Sequence, residues 1–228
     1  NTINPNDVSP RRFGNEVVDG ITFGESHVNI PIETHHRGEL ETRRWWQWFN
    51  PQRHFCIDVL EELTAAVFLE HVMRPVREGE EDVLLYVHGF SNTFEFAALR
   101  LAQLAHDIRF GGSAVVFSWP SEGWPSRRAY RRDEEKAAKS SPALTEILLK
   151  LIDGRRRVAP AKGKIHLVAH SMGNRVLLNA LHGLRGKLAE EQKPFGHVVL
   201  AAPDISVRDF VSLTPPLFSA ADSVTLYF

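Results

Sequence analysis

Cysteine is nearly missing from this chain, and so are long apolar runs and any excess of one charge. Cys56 is the only cysteine, which excludes an internal disulfide and leaves the compartment open. No apolar stretch approaches the ~20 residues that a membrane-spanning helix needs. Basic and acidic side chains number 27 and 28, for a formal charge of −1, so no electrostatic footprint points to DNA, RNA or an acidic membrane. A small-molecule or protein substrate fits better. An initiating methionine is also absent: the sequence opens at Asn1, which implies that an N-terminal segment has been removed, and any signal peptide would be invisible.

What is present is enough for one sizeable core. With 228 residues and 43% hydrophobic side chains, the chain suits a single large α/β domain. The polar stretch up to Asn15 reads as an arm, giving an expected division into an arm over 1–20 and a domain over 21–228. Ile21–Ile32 and His54–Leu60 alternate apolar and polar residues, as antiparallel edge strands do. Thr64 caps an expected helix over 65–73 that stops before Pro75. Asp82–Phe90, Ala114–Pro120, Ile165–His170 and His197–Asp204 are apolar runs of the kind buried on both sheet faces. Helical stripes separate them, one following Phe90, one opening at Ser141-Pro142, and one from Met172 onward. Ser223–Phe228 reads as a further strand. Strands alternating with helices predict a mostly parallel sheet covered on both sides.

In such a sheet, ligands bind at the carboxyl ends of the strands. Ala169-His170-Ser171-Met172-Gly173 lies at one such end and fits the strand-turn-helix pattern G-x-S-x-G, with Ala169 in the first small position. The pattern makes Ser171 a candidate nucleophile rather than a helix cap. Acyl transfer also needs donors for an oxyanion, and the backbone N–H groups of Met172 and of Phe90, after His88-Gly89, are the candidates. Asp204 ends the next strand, where a carboxylate could orient an imidazole or merely cap a turn. His88, Gly89, His170 and Trp119 are the candidate pocket residues. "THHR" lacks the spacing of a metal motif such as H-E-x-x-H, and no metal or organic cofactor is expected.

Taken in order, "LLYVHGF", "VVFSWPS", "IHLVAHSMGNRVLLNAL" and "VVLAAPDI" resemble the α/β-hydrolase fold, and most of all its bacterial esterase/lipase-like branch, DUF900. The resemblance spans roughly residues 21–228. It implies an eight-stranded core, a triad in the order serine, acid, histidine, and an ester substrate. Ser171 would be the nucleophile and Phe90 and Met172 the oxyanion donors. Asp204 matches members that place the acid after this strand, whereas many place it after the next.

One departure is serious. The histidine should follow the acid, yet the last of the eleven is His197. Two readings are open: the sequence is part of a longer chain, since it stops inside an apparent strand, or the protein is a hydrolase-fold binding or scaffold protein that lacks the base. The first is preferred, because a bare sheet edge invites aggregation. Among substrate clues, Trp45, Trp46, Trp48 and Phe49 suggest a packing flap or an acyl-pocket wall. Arg127, Arg128, Arg131 and Arg132 suggest either ion pairs along a solvated helix or attraction of anionic head groups.

Overall fold

The computed structural model describes residues 13–42, 50, 52–79, 81–158, 163–187 and 193–228. The aromatic cluster at Trp45, Trp46, Trp48 and Phe49, and most of the N-terminal arm, lie outside these residues.

Five strands form one parallel sheet in the order β4-β3-β5-β6-β7. They are β3 (Val83–Val87), β4 (Ser113–Phe117), β5 (Ile165–His170), β6 (Phe195–Ala201) and β7 (Ala221–Tyr227). All five residues of β3 are buried, as a central strand covered on both faces requires. Register pairs Val87 with both Phe117 and Ala169, and His170 with Ala201. The carboxyl ends of β3, β4, β5 and β6 therefore finish level, and the loops after them share one rim. A separate antiparallel hairpin joins β1 (Phe23–Asn29) to β2 (Cys56–Leu63), so the described residues show seven strands where the resemblance implies eight.

Helices α1 (Ala65–Gly79), α2 (Phe94–Asp107), α3 (Arg127–Arg157) and α4 (Gly173–Gly183) flank the sheet, and short α5 (Val207–Leu213) and α6 (Pro215–Ala220) precede β7. The main core joins Leu85 and Val87 of β3, Leu144, Leu148 and Leu151 of α3, Leu167 of β5 and Leu177 and Leu181 of α4.

Two expected helix boundaries are corrected. Helix α1 continues through Pro75 to Gly79, because Val72, Met73 and Val76 all belong to the core and packing carries the helix across the proline. Helix α3 does not open at Ser141-Pro142 but at Arg127, with Pro142 in its interior. The proline removes one backbone donor. Ser140 and Ser141 turn their hydroxyls back onto the carbonyls of Lys136 and Ala137 at 2.8 and 3.0 Å. The apolar stripe from Leu144 to Ile152 then fastens the second half of the helix to the core.

Candidate active site

Ser171 sits where β5 turns into α4, in a conformation that serine rarely adopts: its φ is +50°. Such left-handed geometry costs free energy for a residue with a Cβ, and it persists only where the surroundings impose it. The same rim holds two more such residues, Ser91 after β3 at +60° and Ala202 after β6 at +42°. Ser171 N–H donates to the Ala201 carbonyl at 2.9 Å. Its own carbonyl accepts from the N–H of Asn174 at 3.1 Å and of Asp204 at 3.2 Å, and from Asn174 Nδ2 at 2.9 Å. With the backbone tied on both sides, the side chain faces outward. Its hydroxyl has no hydrogen-bond partner among the described residues, and the cap position of α4 is Met172, without a side-chain bond.

The small residues around the turn are explained by close approach. A Cβ on Gly173 would lie 2.4 Å from the His88 carbonyl oxygen and 2.6 Å from that of Val87. One on Gly89 would lie 2.9 Å from Ser171 Cβ and 3.1 Å from His170 Nδ1. The loop after β3 thus passes directly against Ser171, and His170 borders the same glycine, although no hydrogen bond joins the imidazole to the serine. The N–H groups of Phe90 and Met172 have no protein acceptor among the described residues.

His88 and Trp119 are buried beneath this loop. His88 is fully buried. Its Nδ1 donates to the Gly89 carbonyl at 2.9 Å, which leaves Nε2 to accept from Trp119 N–H at 3.2 Å. Trp119 returns a bond from Nε1 to the His88 carbonyl at 2.8 Å and stacks on the ring at 5.1 Å. Burial pushes the His88 imidazole down to about 4, against the weaker support of its backbone bonds. It is a neutral brace.

Asp204 is not a helix cap: Ser206 caps α5. Its carboxylate accepts the Tyr130 hydroxyl at 2.8 and 2.9 Å and lies 3.3 Å from Arg175 Nη2. Arg175 Nε also donates to the Asp204 carbonyl, while Nη1 pairs with Glu134 at 2.6 Å. Burial and the bond to Asp204 push the Tyr130 phenol up to about 12. Asn174, Tyr130 and Arg175 went unread in the sequence. Asn174, a polar residue one helical turn past the serine on a buried face, was the available signal.

The remaining histidines are engaged elsewhere or stand apart from the turn. His35 bridges Glu41 and Asp107, His71 bonds Glu25, and His166 stacks on His197 at the opposite end of the sheet. His36, Glu39 and Glu41 lie close enough to share a cation, but Glu41 already accepts from His35 and the His36 N–H. A cavity of about 1570 Å³ opens between β1 and the free edge of β4; it reaches Asn92 and Trp119 but does not include Ser171. The polar groups that converge on the strand ends, not this cavity, mark the site.

A parallel sheet whose central strand ends in a strained serine, followed at once by a helix, is the architecture of the α/β hydrolases. Residues 64–228 match the family described as alpha/beta hydrolase of unknown function, DUF900, and the chain belongs to it. Neither the curated proteins nor the solved structures contain a match to the chain.

Proposed function

We propose that this protein is a serine hydrolase of carboxylic esters. The observation that carries the reading is the left-handed turn at Ser171, with an unbonded hydroxyl beside Gly89 and two unbonded backbone donors. Ser171 Oγ attacks the acyl carbon, and the N–H groups of Phe90 and Met172 receive the oxyanion. Collapse breaks the bond to the leaving alcohol, which takes the proton given up by Ser171 Oγ; water then adds to the acyl carbon, the bond to Oγ breaks, and the acid leaves as a proton from that water returns to Oγ. Asp204 is the candidate acid. Tyr130 and Arg175 hold its carboxylate in place, and Oδ2, which takes only the Tyr130 hydroxyl, keeps a lone pair with which to orient an imidazole. No histidine of this sequence follows His197, so none of its residues is assigned as the proton acceptor.

The alternative is a binding protein on a hydrolase fold, favoured by the lack of any imidazole hydrogen-bonded to Ser171 among the described residues. Hydrolysis of a p-nitrophenyl ester series separates the two. The hydrolase reading expects turnover that Ser171→Ala lowers by about 10³-fold or more. Equal turnover by the alanine variant would remove Ser171 from the mechanism.

A further inference from the structure

The formal charge of −1 conceals a local separation of charge beside Ser171. Arg127, Arg128 and Arg131, on the opening turns of α3, and Arg208, on α5, are exposed and have no acidic partner among the described residues. The acids of the same stretch are mostly committed to other groups. Glu122 holds Arg132 and Lys136, buried Asp133 accepts from Ser121 and the Glu122 N–H, and Glu134 pairs with Arg175. Glu135 and Asp209 are the acids that remain outward. Helix stability does not account for the arginines, because the first turn of α3 contains no acid and the positive pole of a helix disfavours cations there.

Apolar side chains share this rim. Trp124 is 72% exposed, Val207 81% and Val211 64%. The Tyr130–Asp204 bond ties the opening of α3 to the strand end from which α5 departs, so both elements flank the loops around Ser171. We infer that this rim docks on an anionic phospholipid surface. Such a surface accepts all three kinds of group together: guanidinium groups at phosphates, tryptophan at headgroup depth and aliphatic side chains below it. Nucleic acid would use the arginines but leaves the valines without a role. No described helix is long and apolar enough to cross a membrane, so the contact is with the surface. The Ser171 reading bears only on the step after docking, in which the ester is presented from the bilayer.

Sedimentation of the 228-residue protein with sucrose-loaded vesicles tests the docking without relying on hydrolysis. Phosphatidylcholine vesicles with about 30 mol% phosphatidylserine are expected to bind it, pure phosphatidylcholine far less, and about 0.5 M salt should release it. Arg127→Glu with Arg128→Glu should lower partitioning at least about tenfold, and Trp124→Ala should weaken it, with unchanged circular dichroism in each. Ser171→Ala should bind as the parent does, so that a failed hydrolase reading leaves this result standing. No binding, equal binding to both vesicle types, or indifference to the arginine replacements would overturn the proposal.

Discussion

Tyr130 reaches from α3 to hold Asp204 at the end of β6, its hydroxyl 2.9 Å from Oδ1 and 2.8 Å from Oδ2. The bond joins residues 74 positions apart, and through Arg175 it connects the helix after the serine to the same carboxylate. Tyr130→Phe leaves Asp204 with Arg175 as its side-chain partner. A bond to a charged but partly exposed group should cost about 1–2 kcal/mol, read as a lower urea midpoint. An unchanged midpoint would mean that water replaces the hydroxyl without loss.

The two glycines around Ser171 should respond differently to a methyl group. At Gly173 it meets backbone carbonyls that cannot move without shifting β3, so Gly173→Ala is expected to destabilise by about 3 kcal/mol or more. At Gly89 the nearest atoms include Ser171 Cβ itself. Gly89→Ala should therefore reduce ester turnover more than about tenfold with a smaller loss of stability. Denaturation midpoints beside kcat/KM for both variants provide the check.

His88 makes the fold sensitive to acid. Its folded value, about 4, lies below the unfolded 6.5. Between these the unfolded chain binds the extra proton, so stability is full above 6.5 and falls as the pH drops towards 4. The fall amounts to roughly 3 kcal/mol. His88→Ala should flatten this acid limb in urea titrations at successive pH values. It should also lower stability at neutral pH, since the buried Trp119 N–H loses its acceptor and the Gly89 carbonyl keeps only Asn92 Nδ2.

His35 acts on the other side. Desolvation lowers its value, but the bonds to Asp107 and Glu41 outweigh burial and raise it above 6.5. Its contribution is fully present below the unfolded value and is lost as pH rises through the folded one. His35→Gln should remove that alkaline decline while leaving the acid limb due to His88. A decline that persists in the variant would assign it to another group.

The parallel sheet was legible because β3, β5 and β6 are short, mostly apolar and bounded by turns, a pattern that few alternatives share. Ser171 was legible for a related reason, since its neighbours Ala169 and Gly173 are small where strand and helix must approach. The prolines misled: Pro75 reads as a stop signal and Ser141-Pro142 as a start, and core packing on both sides of each overrides them. The Tyr130–Asp204–Arg175 group and the His35 bridge left no local trace, because their members come from separate elements and meet only after folding. Helices α5 and α6 are too short to show a period.

The most direct test of the central claim is the intact mass after treatment with a fluorophosphonate. The account predicts a single adduct on the parent protein and none on Ser171→Ala. An untouched parent, or an adduct that the alanine variant keeps, would contradict Ser171 as an activated nucleophile.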